Sequence, residues 1–160
     1  MLALQALHGG FACVALLGRH DLRQDLLPAL QQTGGVLEVD ADACPVVAIP
    51  AKSLRSILYN LLNNVLKYRH PDRPPHVRLS CHTPAGGWCL TVEDNGLGLT
   101  AAQQAELFVL FRRLHDHVEG SGLGLYTVKK PAENLGGRVE VQSESGVGST
   151  FRVYVPSPGY

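Results

Sequence analysis

Neither sign of charge prevails in this 160-residue chain, in which Lys plus Arg and Asp plus Glu each number 14. That balance excludes a basic field of the kind that gathers nucleic acid, so any anion must be held by local geometry. The cysteines Cys13, Cys44, Cys81 and Cys89 form no CxxC pair, and they do not cluster with histidines at zinc spacing. Cys81 and Cys89 could face each other across a hairpin, but buried, reduced thiols are the plainer expectation. A long apolar run is missing too. The opening MLALQALHGGFACVALLG is fairly apolar, lacks a basic leader and is broken at His8-Gly9-Gly10. It reads neither as a signal peptide nor as a membrane span. Residues 1–20 are taken as a lead-in, with a frayed helix as one form. No internal repeat and no linker divides the chain, and its length suits one domain with a proper core. With 45% apolar and 18% charged residues, disorder is excluded.

What is present alternates between two periods. DLRQDLLPALQQTGG predicts a helix interrupted near Pro28 and closed by Gly34-Gly35. VLEVD (36–40) and PVVAIP (45–50) predict strands. AKSLRSILYNLLNNVLKYR is the most helical segment, because Leu54, Ile57, Leu58, Leu61, Leu62 and Val65 recur every three or four residues as one stripe. Three prolines make HPDRPP (70–75) a loop. HVRLSCHT and WCLTVED, joined by PAGG, predict a hairpin. A short helix over AAQQAELFVLF, a polar connector, a helix over LGLYTVKKPAENLGG and two closing strands, RVEVQSE and STFRVYV, complete the chain. This order predicts an α+β, two-layer sandwich with a mixed, mostly antiparallel sheet and helices on one face.

Three features point to chemistry. Asn60, Asn64 and Lys67 share one face of the long helix, and Asn63 adds a third asparagine in five residues. Asparagine is a poor helix former, and a merely solvated face would be made more cheaply from Glu, Lys and Gln. An amide oxygen suits a hard cation such as Mg²⁺, and a lysine suits phosphate. In VEDNGLGL a strand ends at Asp94, and Gly96 and Gly98 follow. The carboxylate can accept from an amino group such as adenine's, although DxGxG alone is also a common turn. GSGLGL (120–125) has GxGxG spacing, follows no strand and opens a helix, which argues against a dinucleotide fold. It still offers free N–H groups and a helix dipole to an anion. Together the three features describe a nucleotide–Mg²⁺ pocket.

NLLNNVLKY (60–68), DNGLG (94–98), FVLFRR (108–113) and GSGLGL (120–125), in that order, resemble the boxes of the ATP-binding catalytic domain of sensor histidine kinases, in the GHKL superfamily that includes gyrase and Hsp90. KYRHPDRPP and LFRRLH resemble the PAS- and phytochrome-linked branch. The likeness runs from about Leu22 to Pro156 and implies a Bergerat-type domain over residues 21–158. It implies that Asn64 holds Mg²⁺, that Asn60 supports the metal and phosphate side, and that Lys67 contacts phosphate. Tyr68 would flank the adenine, Asp94 would receive its amino group, and Gly96 and Gly98 would line base and sugar. Gly120, Ser121, Gly122, Leu123, Gly124 and Leu125 would form the phosphate-facing loop of an ATP lid. Phe108 and Phe111 would anchor that lid, Arg113 would reach the phosphates, and Thr150 would sit near the adenine.

Hydrolysing relatives carry a glutamate where this chain has Asn60, and an amide cannot take a proton from water. The resemblance therefore implies γ-phosphoryl transfer to a histidine on a separate dimerisation domain, with a response regulator downstream. It also implies an isolated domain that is monomeric and cytoplasmic. A catalytically weak nucleotide-binding module and a GHKL ATPase are the alternatives. Two residues depart from the pattern. Pro131 stands inside the helix after GSGLGL, where it would kink or split it, and Val65 replaces a small residue beside Asn64. HDLRQDL (20–26) resembles a phosphoacceptor motif, but only 44 positions separate His20 from Asn64 and no helical hairpin fits between them. Leu22, Leu26, Leu27 and Leu30 instead suit the domain's own first helix.

Overall fold

The computed structural model describes residues 5–7, 20–40, 49–108 and 125–157. In chain order these form β1 (Gln5–Leu7), α1 (His20–Gln32), β2 (Val36–Asp40), α2 (Ala51–Lys67), β3 (His76–His82), β4 (Gly87–Asp94), α3 (Ala101–Glu106), α4 (Tyr126–Asn134), β5 (Arg138–Glu144) and β6 (Gly148–Pro156). One six-stranded sheet runs β1-β2-β3-β4-β6-β5. The β1–β2 and β2–β3 pairs are parallel, and every later pair is antiparallel. The expected mixed, mostly antiparallel sheet is therefore present, with a short parallel strand at its edge where the sequence suggested a frayed helix.

Alternation along the strands divides the sheet into two faces. Leu37, Val39, Val77, Leu79, Trp88, Leu90, Val92, Phe151 and Val153 face the helices and are buried. They form one cluster with Leu26 and Leu30 of α1, the α2 stripe, and Val128 and Ala132 of α4. All six stripe residues of α2 are buried, and Ile57 and Leu58 are fully so. Each contributes about 1.5–3 kcal/mol through the area it removes from water. The other face carries the Arg78–Asp40 ion pair at 3.2 Å and a contact of His76 Nε2 with Glu38 at 3.0 Å. Exposed pairs of this kind contribute at most about 1 kcal/mol each. No described helix is long and apolar enough to cross a membrane.

The two internal prolines behave differently from expectation. α1 continues through Pro28 and α4 through Pro131. Pro28 is exposed and Pro131 only partly buried, so water can still reach the backbone where each proline removes an N–H donor. After Pro131 the helix closes normally, with the Leu135 N–H donating to the Pro131 carbonyl at 3.2 Å. The cysteine hairpin pair does not form either. Cys81 lies opposite Leu90 and Cys89 opposite His82, so the two thiols fall on opposite faces. Cys89 is a buried free thiol, whereas Cys81 is disulfide-bonded, which corrects the expectation of reduced cysteines throughout. Most of the strand expected at 45–50, the end of the AAQQAELFVLF helix, and Cys13 and Cys44 lie outside the described residues.

Candidate nucleotide site

The C-terminal half of α2, the end of β4 and the start of β6 converge on one cleft. Its walls are apolar: Leu61 and Val65 from α2, Leu99 and Leu107 around α3, Leu125 ahead of α4, and Phe151 of β6. Polar groups enter at separate points, from Asn64, Tyr68, Asp94 and Ser149. An apolar slot with a few convergent polar groups is the usual form of a small-molecule site. It suits a flat ring with a polar edge.

Asp94 is placed by the sheet. It is the last residue of β4, and antiparallel pairing sets it opposite Ser149 of β6. Its Oδ1 accepts the Gly96 N–H at 2.8 Å, and the Ser149 N–H also donates to the carboxylate. Burial pushes its pKa above the ordinary carboxylate value, and these two N–H groups oppose the shift. The loop that follows is fixed closely. A Cβ on Gly96 would lie 2.6 Å from the Tyr68 carbonyl oxygen, so the chain fits there only without a side chain. Gly98 has φ +66°, and a Cβ on it would collide with the Glu144 carbonyl. Gly98 lines the cleft, while Gly96 is buried against the end of α2.

Behind this loop lies a second set of hydrogen bonds that the sequence does not announce. The Ser143 hydroxyl accepts the Leu99 N–H at 2.8 Å and contacts both the Gly148 carbonyl at 2.9 Å and the Ser149 hydroxyl at 2.7 Å. The Gln104 amide donates to the Leu99 and Ser143 carbonyls at 3.2 and 3.0 Å. A capping box between Thr100 and Gln103 starts α3.

The α2 side is less satisfied. Asn64 lines the cleft, and its Nδ2 is buried without a hydrogen-bond partner. Such an orphan is uncommon and calls for a ligand or a water. Asn60 does not line the cleft. Its amide donates to the Ser56 carbonyl one turn back at 2.8 Å. Lys67 is exposed in the last turn, where its charge complements the helix dipole. Tyr68 caps the helix through its N–H to the Asn64 carbonyl at 2.9 Å, and it lines the cleft.

Thr150 does not reach the cleft. It pairs with Glu93 and shares the face of the sheet turned away from the described helices, because neighbouring strand residues point to opposite sides. Ser149 holds the position expected of Thr150. Leu125 lines the cleft, and Phe108 is partly buried against the core with Lys129 Nζ at 6.0 Å from its ring centroid. Phe111, Arg113, Gly120, Ser121, Gly122, Leu123 and Gly124 lie outside the described residues.

The family described as histidine kinase-, DNA gyrase B- and HSP90-like ATPase matches residues 50–159. Cyanobacterial phytochrome A of Nostoc sp. is 31% identical over 137 residues, which cover 84% of this chain and 18% of the relative. The chain thus spans about a fifth of the length of such a relative. Among solved structures, full-length ShkA in complex with AMPPNP aligns with 100% of this chain and 32% of its own, at TM-score 0.77 and 24% identity. The catalytic domain of the histidine kinase ThkA aligns with 91% of this chain and 95% of its own, at TM-score 0.74 and 15% identity. The last two likenesses concern the fold.

Proposed function

This chain belongs to the histidine kinase-, DNA gyrase B- and HSP90-like ATPase family, and from that premise we propose that it is the ATP-binding catalytic domain of a sensor histidine kinase. It binds ATP with Mg²⁺, and the γ-phosphoryl group passes to a histidine nitrogen on a separate dimerisation domain while ADP leaves. The observation that carries this reading is the placement of Asp94 and the unpartnered amide of Asn64 in one apolar cleft.

The Asp94 carboxylate accepts the adenine amino group, and its own N–H donors hold it in position. Leu61, Val65, Leu99 and Phe151 cover the ring faces. Asn64 fits a metal role. Its Oδ1 is the atom that would hold Mg²⁺, which is commonly bound by one or two protein oxygens together with phosphates and water, while the unpartnered Nδ2 is a donor and would meet a phosphate oxygen. Bound there, Mg²⁺ would offset charge on the phosphates. Lys67 and Arg113 serve the phosphates, Tyr68 and Gly98 border the base side, and the glycine loop at 120–125 supplies N–H groups to the phosphates. Asn60 supports the α2 side and offers no base for water, so transfer is favoured over hydrolysis. The ATP-binding core covers residues 21–158, with β1 of the lead-in added at the edge of its sheet; it is monomeric and cytoplasmic when isolated, and feeds a response regulator. His20 opens its first helix and is not the acceptor.

Titration of the chain with ATP, with and without Mg²⁺, followed by phosphotransfer to a supplied dimerisation domain, tests the reading. Affinity between micromolar and millimolar, transfer to histidine and negligible turnover by water are expected. Rapid hydrolysis by the chain alone would favour an ATPase, and no measurable binding would end the proposal.

A further inference from the structure

The connector between α2 and β3 carries Arg73, whose contacts lie outside the cleft. Its Nε–H donates to the Asn95 carbonyl at 2.7 Å. Its Nη2 lies 3.1 Å from the Gly96 carbonyl, 2.8 Å from that of Gly146 and 3.1 Å from that of Val147. Two of these four carbonyls belong to the loop just after Asp94. The other two belong to the β5–β6 turn just before Ser149. Those segments supply the two N–H groups that hold the Asp94 carboxylate, from Gly96 and Ser149. Asn95 fastens the same connector, accepting the His76 N–H at 2.8 Å and donating to the Pro74 carbonyl at 3.1 Å. The Gly146 N–H joins the two segments directly, through the Leu97 carbonyl at 2.7 Å.

We propose that Arg73 is a positioning residue for base recognition: its guanidinium ties the loop after β4 to the β5–β6 turn and so sets the spacing of the two N–H donors around Asp94. Arg73 itself does not line the cleft. A guanidinium suits the task because its planar fork directs several N–H groups to one side at once, whereas a lysine ammonium is a single point and cannot span both carbonyl pairs. The inference rests on the proposed nucleotide reading and adds to it the determinant of adenine preference. Asp94 can accept from the amino group of adenine, whereas guanine presents a carbonyl at that position.

The test is a titration of the wild-type chain and Arg73→Lys with ATP and with GTP, recording affinity and stoichiometry. In the variant the Kd for ATP rises roughly tenfold, at unchanged stoichiometry, because the base end loses aim. The Kd for GTP moves far less, so the preference for ATP shrinks. A residue that only holds the fold together would lower the stoichiometry and leave both Kd values and their ratio alone. That result, or an unchanged ATP affinity, would overturn the proposal. If Arg73→Lys does not fold, the wild-type chain decides: its Arg73 Nε–H resonance shifts when ATP saturates the cleft, and an unmoved resonance counts against the coupling. Wild-type chain that binds no ATP sinks the nucleotide reading itself, a separate outcome.

Discussion

The two ends of the cleft are built on different terms. At the base end, Asp94 sits in a sheet ladder with its carboxylate already receiving two N–H groups. Around it, Ser143 and Gln104 pair the nearby loop backbone. At the α2 end, Asn64 has a buried donor without a partner, and Lys67 extends to solvent. The fold thus completes the base end by itself, while the α2 end keeps capacity in reserve. A base of fixed shape can be met by a rigid frame. Phosphates and a hydrated cation need groups that pair only when they arrive.

Asp94→Asn attacks the finished end and should have the largest effect. Hydrogen bonds to a charged acceptor contribute about 1.5–3 kcal/mol, so ATP affinity falls by roughly a hundredfold. Folding stability moves the other way. A carboxyl whose folded pKa is raised gives stability that is complete below its unfolded pKa and is lost as pH rises through the folded one. At neutral pH the buried carboxylate is therefore a burden that the amide lifts. The variant should melt above wild type at pH 7, and the gap should close near pH 4, about the ordinary value for Asp. Wild-type ATP affinity should weaken in acid, beginning above that value, as Asp94 gains a proton. A variant that melts lower at pH 7 while binding ATP normally would erase the distinction between the two ends.

Asn64→Ala probes the reserved end, and its expected effect is smaller. ATP affinity in the presence of Mg²⁺ falls roughly tenfold, and the difference between titrations with and without Mg²⁺ disappears. Stability should hold or rise slightly, because the substitution removes a buried, unpaired donor. If Asn64→Ala binds and transfers as before, with its Mg²⁺ dependence intact, the metal role is wrong and the α2 end is no ligand site. A marked loss of melting temperature would show instead that the amide already has a structural partner.

Much of this contrast is legible in the amino-acid sequence. The α2 stripe names its own buried face, because a period near 3.6 leaves one choice of side. Asn64 and Asp94 stand out as residues that cost local structure without serving the core, and both line the cleft. The prolines are harder to read. Composition shows that a hydrogen bond is lost at Pro28 and Pro131, but not how exposed each site is, and both helices continue through them. Arg73 is invisible in the sequence for another reason. Its partners are four backbone carbonyls, which every residue carries, so no residue type marks the place. The N-terminal strand depends on pairing with β2 across a long stretch of sequence, which local pattern cannot supply.

The smallest expected effect separates two neighbours that sequence alone cannot order. Alternation says that one of Ser149 and Thr150 faces the cleft, but a slip of one residue exchanges them. The register Asp94 to Ser149 settles the choice within the sheet. Ser149→Ala removes the hydroxyl that meets Ser143 at 2.7 Å, at a cost of about 1 kcal/mol, and should weaken ATP binding roughly threefold through a looser wall. Thr150→Ala lies on the face turned away from the described helices, opposite Glu93, and its stability should stay within about 0.5 kcal/mol of wild type with affinity unchanged. Parallel nucleotide titrations and thermal melts of the two variants measure both quantities. The reverse order, with Thr150→Ala the weaker binder, would mean that the strand pairs one residue out of step. Asp94 would then lose the Ser149 N–H, and the base end would not be complete without its ligand.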